Sequence, residues 1–268
     1  MMNKKELTQV PALSCVERYF LAWLNRVYDI AQLYGNSFVS LGQVCDDFAR
    51  GATYENYCYI PRLQDVAEEY GIVKHRFWAC GEKDARGLLA AQSADELYLV
   101  RVNPRFFTGF KRTAWREDHY VCVDSSLRWI NEYPLSEGEF TAETFAERFD
   151  GAVCAYSAED LTNVPEDFCT SAIKNQSFEN VRLPRGLKEL EATLGILRVT
   201  RKRLKKYYAG QKAVCEALKE EIALLDKLYF SARLKRIKRE NGGEGTRELL
   251  GQAEKIVEIE KKVSEALE

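Results

Sequence analysis

The hydrophobic pattern of the chain changes near Arg185, and this change limits the folds that the chain can adopt. Beyond it, apolar side chains recur at helical spacing almost without interruption, whereas earlier segments mix that spacing with short runs of β-branched and aromatic residues typical of strands. The C-terminal pattern predicts helices over residues 185–208, 211–240 and 246–267. We therefore predict two domains, an α+β domain over residues 1–160 and a helical bundle over residues 161–268.

The predicted elements of the first domain place helices ahead of strands, which favours an α+β fold. The predicted helices span residues 15–34, 61–70, 85–92 and 141–149, and the predicted strands span residues 72–79, 97–102, 119–123, 127–133 and 152–156. Residues 35–57 carry glycine and asparagine, and they predict irregular structure with short helices.

Composition and charge exclude several classes of function. The net charge is −2, which gives no sign of nucleic-acid binding. No apolar run approaches the roughly 18 residues of a membrane span and the N-terminus has no apolar signal segment, so we expect a cytoplasmic protein that does not bind membranes. The eight cysteines contain no pair at metal-ligand spacing and the chain has two histidines, so we predict reduced thiols and no metal site.

Cys15 is the candidate nucleophile, because it begins the first long amphipathic helix. Backbone N–H groups and the helix dipole stabilise a thiolate at such a position. We expect a thiolate there to react with thiol reagents at pH 6, well below the pKa of about 8.5 of a free thiol. The alternative is a small buried apolar residue, which is the commoner role of such a cysteine.

Three further side chains complete the predicted site around Cys15. Gln9 lies six residues earlier, so its amide and the Cys15 N–H are predicted to form an oxyanion hole. His119 begins a predicted strand and is the candidate base. Asn131, in the returning strand, is the candidate group that orients the imidazole.

The pairing of His119 with Asn131 depends on the loop between the two strands. A three-residue loop over residues 124–126 would place the two side chains opposite each other on one face of the hairpin. A two-residue slip would instead favour Asp124 or Glu132 as the third member of the triad.

Five stretches of the first domain carry a family resemblance: SCVERYF at residues 14–20, YGNSFVSL at 34–41, LYLVRVNPRFF at 97–107, DHYVCVDSSLRWINEYPL at 118–135 and FTAETFAERF at 140–149. They resemble the N-terminal domain of the butirosin biosynthesis protein H family, itself similar to C39 and papain-type cysteine peptidases. On this resemblance, the family's catalytic cysteine, histidine and acidic or amide member correspond to Cys15, His119 and Asn131.

The resemblance implies a papain-like or C39-like cysteine enzyme domain that transfers acyl groups. The donor would be an acyl, aminoacyl or peptidyl group on the phosphopantetheine thioester of a carrier protein, and the acceptor a small-molecule amine. Nonribosomal peptide or polyketide biosynthesis is the implied setting, and no other cofactor is implied. Two alternatives stay open: a cysteine peptidase or amidase with the same triad, and a non-catalytic scaffold that binds a carrier protein.

Aromatic side chains that follow the second predicted strand are candidates for the wall of the substrate pocket. They are Phe106, Phe107 and Trp115. The alternative is a small hydrophobic cluster beneath a loop.

The helical region is strongly basic in one part. Residues 196–239 contain 14 Lys and Arg against 4 Asp and Glu, which indicates either a solvated helix face or a dock for an acidic carrier protein. The docking candidates are Arg198, Arg201, Lys202 and Lys205. Apolar stripes over residues 187–197 and 217–234 fit either a helical bundle or a homodimer.

Overall fold

A computed structural model of the chain contains two compact units. It describes residues 2–35, 37–52, 62–103, 119–159, 178, 181–238 and 244–266. The first unit comprises Met1–Ile30 and Leu63–Pro165, and the second comprises Ala31–Arg62 and Glu166–Glu268. The domain ranges expected from the sequence differ in giving residues 31–62 to the first domain, and they stay a prediction.

The first unit combines a sheet with short helices. Its helices are α1 (Lys4–Gln9), α2 (Cys15–Leu24), α4 (Leu63–Glu69), α5 (Glu82–Ala90) and α6 (Ala142–Arg148). Its strands are β1 (Val73–Ala79), β2 (Leu97–Val102), β3 (His119–Val123), β4 (Arg128–Glu132), β5 (Leu135–Glu139) and β6 (Phe149–Ala158).

The strands form one antiparallel sheet in the order β1-β6-β2-β3-β4-β5. Together with the helices, this sheet confirms the predicted α+β class, and the five strands expected from the sequence are present. The edge strand β5, LSEGE, was not predicted, because it lacks the apolar alternation of a half-buried strand. Its Gly138 lies opposite Trp129, and a Cβ there would come within 2.7 Å of the indole ring.

The two sides of the sheet have different roles, as β3 shows. Val121 and Val123 lie in an apolar cluster with residues of α5 and α6, among them the buried Phe145. Because side chains alternate along a strand, Tyr120 and Cys122 lie on the opposite side, where α2 packs. The candidate nucleophile therefore approaches β3 from the side away from this apolar cluster.

α2 has a well-defined beginning. The Ser14 hydroxyl accepts a hydrogen bond from the Glu17 N–H at 3.2 Å, which is a typical N-cap. The buried Glu17 carboxylate accepts from the N–H groups of Leu13 at 2.6 Å and Leu63 at 3.3 Å. These bonds fix the segment that leads into Cys15.

The helix expected over residues 15–34 is shorter than predicted. α2 ends at Leu24, where Asn25 forms the C-cap, and a separate 3₁₀ helix follows at Ile30–Tyr34. The prediction was wrong beyond Leu24 because apolar spacing continues through a turn in which the N–H groups of Arg26 and Val27 donate to carbonyls three residues earlier rather than four.

The second unit is helical in the part of it that the structure describes. Its helices are α3 (Leu41–Ala49), α7 (Leu187–Tyr207), α8 (Lys212–Ile237), α9 (Glu244–Gly251) and α10 (Ala253–Glu265). The helix expected over residues 246–267 is two helices that meet at Gln252. Arg198 pairs with Asp226, and Arg236 pairs with Glu191, so α7 and α8 run antiparallel.

A fully buried ion cluster ties this unit together. Arg201 of α7 donates to Glu221 of α8 at 2.6 Å and also pairs with Glu260 of α10. The same guanidinium donates to the Val39 carbonyl at 2.9 Å, and the Leu41 N–H donates to Glu260 at 2.9 Å. Arg201 is therefore not available to a partner, and its predicted role in carrier docking was wrong because the side chain is fully buried against carboxyl groups from two other helices.

We expect the stability of the second unit to fall between about pH 5 and pH 9. Burial and the nearby Glu221 charge raise the pKa of Glu260 to about 8, against the opposing effect of Arg201. The folded state therefore holds a proton that the unfolded chain releases, so unfolding free energy falls as pH rises, by at most about 1.4 kcal/mol per pH unit for one proton. Glu260→Gln should flatten this dependence in denaturant unfolding followed by circular dichroism.

Glu220→Gln provides the matched control for that measurement, because Glu220 is an exposed glutamate of α8. It should keep the pH dependence of the natural chain. Equal slopes for the natural chain and Glu260→Gln would contradict the assignment.

Candidate active site

The Cys15 thiol lies at the N-terminal end of α2, close to three backbone N–H groups. They belong to Cys15 itself, to Val16 and to Tyr120 of β3. These donors favour a thiolate, but burial has the larger effect and raises the pKa of the Cys15 thiol to about 11. The expectation of a thiolate that reacts at pH 6 was therefore wrong, because the thiol keeps its proton at neutral pH.

The pairing between β3 and β4 stops short of the candidate site. It covers Val123 with Trp129 and then Cys122 with Ile130. The same register, continued, would align Tyr120 with Glu132 and join them through their backbone groups. We call the position defined by Tyr120 and Glu132 the open rung.

At the open rung, side chains of α2 bond to the backbone of the two strands. The Tyr120 N–H faces the Cys15 thiol, and the Glu132 N–H donates to the Tyr19 hydroxyl at 2.8 Å. The Tyr19 hydroxyl in turn donates to the Ile130 carbonyl at 3.2 Å. One turn of α2 therefore contacts both strands at the place where they separate.

Tyr19 is a site residue that was not predicted from the sequence. It lies four residues after Cys15, on the same face of α2, and is fully buried. Its two hydrogen bonds reach the peptide groups of Ile130 and Glu132, on either side of Asn131. A polar aromatic residue at this spacing from the candidate nucleophile was the available signal.

His119 and Asn131 form a buried hydrogen-bonded pair. Nε2 of His119 lies 2.7 Å from Oδ1 of Asn131. Nδ2 of Asn131 donates to the Pro134 carbonyl at 2.9 Å, which fixes Oδ1 as the atom that faces the histidine. Because an amide oxygen only accepts, Nε2 carries the hydrogen, and Nδ1 is the basic nitrogen of the neutral ring.

The predicted loop between the strands was displaced by one residue. The loop is Ser125–Leu127, with the Asp124 N–H donating to the Arg128 carbonyl at 2.9 Å, and Leu127 has a φ of 60°. Such a left-handed third residue is typical of three-residue hairpins. The register therefore differs from the predicted one by two residues, which keeps His119 and Asn131 on one face as diagonal neighbours.

The two alternatives for the third triad member have other roles. Asp124 accepts hydrogen bonds from the N–H groups of Ser126 and Arg128 and forms an ion pair with Arg128, so it stabilises the loop. Glu132 forms an ion pair with Arg18 of α2 at 3.1 Å. The charge of Glu132 acts on the Cys15 thiol and raises its pKa, although less than burial does.

The candidate base is suited to accept a proton. Burial lowers the pKa of His119, and the bond to Asn131 opposes this only in part, so the ring is neutral at pH 7. The amide nitrogen of Tyr120 is bonded to the carbonyl carbon of His119, so the thiol lies beside the histidine backbone. The structure thus brings a protonated thiol and a neutral, oriented imidazole to the same end of β3.

Other predicted site residues lie elsewhere. Gln9 ends α1 with an exposed side chain, and its oxyanion role stays a prediction. The proposed pocket residues Phe106, Phe107 and Trp115 lie outside the described residues. Of the remaining docking candidates, Arg198 and Lys202 are half-buried beside Asp226, whereas Lys205 is exposed.

Comparisons with known proteins do not identify the chain. Neither a scan of protein-family models nor a search of curated proteins finds a match. The resemblance carried by the sequence motifs therefore stays a prediction. Within the described ranges, each helix is too short or too polar to cross a membrane.

A cavity of about 260 Å³ opens at the opposite end of β3. Its lining includes Trp23, Glu96, Asp124 and Arg128. These residues surround the loop that joins β3 to β4, whereas His119 begins β3. The cavity is therefore separate from the thiol and the imidazole, and it plays no part in the chemistry considered below.

We expect Glu132→Gln to make Cys15 more reactive. The substitution removes the negative charge that raises the pKa of the Cys15 thiol, so this pKa should fall. Alkylation of Cys15 by iodoacetamide at pH 8, followed by peptide mass spectrometry, should speed up about threefold or more, since each unit of pKa gives about tenfold more thiolate. Glu139→Gln, an exposed carboxyl of β5, should leave the rate unchanged. A slower or equal rate for Glu132→Gln would contradict the prediction.

Asn131→Ala should lower the pKa of His119 further, because the amide oxygen favours the protonated ring. The chain has two histidines, so an NMR titration of imidazole signals can follow both, with His75 of β1 as the internal reference. Asn103→Ala, an exposed residue next to β2, is the matched control. If His119 titrates at the same pH with and without Asn131, the bond to Asn131 does not act on the base.

Proposed function

We propose that the chain is a cysteine acyltransferase with a papain-like arrangement of Cys15, His119 and Asn131. It would take an acyl, aminoacyl or peptidyl group from the phosphopantetheine thioester of a carrier protein and pass it to an amine. The bond between Nε2 of His119 and Oδ1 of Asn131 carries this proposal, because it orients a neutral imidazole at the same end of β3 as the Tyr120 N–H that faces the Cys15 thiol.

The raised pKa of Cys15 determines how the first step proceeds. A thiol that is protonated at pH 7 must lose its proton as it attacks, and Nδ1 of His119 is the nitrogen that can accept it. The sulfur forms a bond to the thioester carbonyl carbon, and the carbon–sulfur bond to pantetheine breaks. The imidazolium returns the proton to the departing pantetheine thiolate, and an acyl-enzyme on Cys15 remains.

The second step transfers the acyl group to the acceptor. The amine nitrogen attacks the acyl carbon while Nδ1 of His119 takes its proton, and the bond to the Cys15 sulfur breaks as that proton returns to the thiolate. The N–H groups of Cys15, Val16 and Tyr120 near the sulfur supply hydrogen-bond donors at this centre. The proposed chemistry uses the chain's own residues and the thioester of the donor.

Two rival functions would use or keep the same geometry. A cysteine peptidase or amidase also passes through an acyl-enzyme on Cys15, and differs in letting water discharge it. A non-catalytic scaffold would retain the fold and bind a carrier protein without acylation. The setting proposed for the transferase is natural-product biosynthesis in the cytoplasm.

Intact-mass spectrometry tests the proposal directly. The natural chain is mixed with a panel of acyl-pantetheine and acyl-carrier thioesters, and we expect a mass increment equal to the acyl group. Cys15→Ala should abolish the increment, and His119→Ala should slow its formation by about 10²-fold or more, the usual contribution of a general base. Cys80→Ala is the matched control, because Cys80 is a half-buried thiol of the same unit.

Each outcome distinguishes among the three functions. An adduct on Cys15 that amines discharge faster than water supports the transferase. An adduct that water discharges at the same rate in the presence and absence of amines indicates a hydrolase instead. No adduct with any thioester would overturn the proposal and favour the scaffold.

A further inference from the structure

The C-terminal half of α8 exposes a line of large apolar side chains. Phe230, Leu234 and Ile237 keep 59%, 53% and 63% of their surface accessible. At 100° per residue these three positions lie within about 60° of one another, so they form one stripe along the helix. We call it the α8 stripe, and its length of about 10 Å corresponds to two turns of a single partner helix.

Basic side chains flank the α8 stripe on both sides. On the α7 side, the Arg198 guanidinium lies 5.0 Å from the centre of the Phe230 ring. Lys202 lies at the same edge, where its Nζ is 3.5 Å from the Asp226 carboxylate. On the other side, Lys227 and Lys238 are exposed at about 60° and 80° from Phe230 around the helix. Among the described residues named here, the acidic side chain at the edge of the α8 stripe is Asp226, which pairs with Arg198.

Charge disfavours a second copy of this chain as the occupant. Antiparallel pairing of two α8 stripes about a twofold axis would bring the basic flanks of one copy against those of the other. Like charges placed in register across an interface cost binding energy. The stripe instead suits an apolar helix face that is bordered by carboxylates.

We propose that the α8 stripe docks the donor carrier protein, through a carrier helix with an apolar face and acidic flanks. This inference rests on the proposed function, which requires such a donor. It moves the docking surface from the face of α7 predicted from the sequence to the exposed face of α8. Arg201 lies outside it because it is buried, whereas Arg198 and Lys202 remain at its edge.

Two donors separate docking from chemistry. The rate of Cys15 acylation is measured by mass spectrometry with an acyl-pantetheine thioester and with the same acyl group on an acidic carrier protein. Leu234→Asp and Lys227→Glu should each lower the second-order rate constant for the carrier-bound donor about tenfold or more. Both variants should leave the rate with acyl-pantetheine within about twofold of the natural chain, because this donor makes no carrier contact.

A control variant and a salt series test whether the α8 stripe itself affects the rate with the carrier-bound donor. Val27→Asp changes an equally exposed apolar residue of the first unit, and it should not affect either donor. Raising salt from about 0.05 M to 0.5 M should slow acylation by the carrier-bound donor alone, because the Debye length falls from about 14 Å to 4 Å.

The outcomes that overturn the inference differ from those that overturn the function. Suppose that both donors acylate the natural chain. If Leu234→Asp and Lys227→Glu then react at the rate of the natural chain, or are slowed equally with both donors, the stripe has no docking role and the acyltransferase proposal stands. If neither donor acylates the natural chain, the proposed function fails. Titration calorimetry with the phosphopantetheinylated carrier then tests the surface alone: binding lost in Leu234→Asp supports docking, and unchanged or absent binding overturns it.

Two other occupants are tested in parallel. Light scattering that shows a dimer of the natural chain and a monomer of Leu234→Asp would assign the stripe to self-association. Co-sedimentation with phosphatidylserine vesicles that Leu234→Asp abolishes, without any effect on the carrier, would assign it to a lipid surface. Either result would overturn carrier docking.

Discussion

Two hydrogen bonds between neighbouring strands are replaced at the open rung by bonds to a helix, and the geometry of the candidate site depends on this exchange. Tyr120 and Glu132 direct their N–H groups to Cys15 and Tyr19, which are one helical turn apart. The position of the thiol is thereby set by the same backbone that carries His119 and Asn131. If the ladder continued to this point, the Tyr120 N–H would no longer face Cys15, and the Glu132 N–H would no longer bond to Tyr19 of α2.

Strand geometry explains why the histidine–asparagine pair could be predicted although its register could not. Side chains two residues apart on a strand share a face, so an error of two residues preserves the contact between His119 and Asn131. The register itself follows from the left-handed conformation of Leu127 and the hydrogen bonds of Asp124. Neither feature can be predicted from the residue types alone. The protonation state of Cys15 was mispredicted for a different reason: helix position is visible in the sequence, whereas burial arises from the packing of distant segments.

In the rest of the fold too, features set by local sequence could be predicted, whereas features set by contacts between distant segments could not. Strands and long helices with regular apolar spacing were predicted, whereas the charged edge strand β5 was not. Arg201 was misassigned because arginines at helical spacing are usually solvated. Its burial depends on Glu221 and Glu260, which come from two other helices, and no spacing rule connects the three.

The ion cluster of the second unit also limits how this chain can be divided. Arg201 and Glu260 bind the backbone at Val39 and Leu41, so a segment from the N-terminal third is held by helices from the C-terminal third. The chain therefore leaves its first unit and returns to it before that unit is complete. No single cut separates the two units. A cut after residue 165 would release the C-terminal helices without Val39 and Leu41, so that Arg201 and Glu260 would each lose a buried backbone partner.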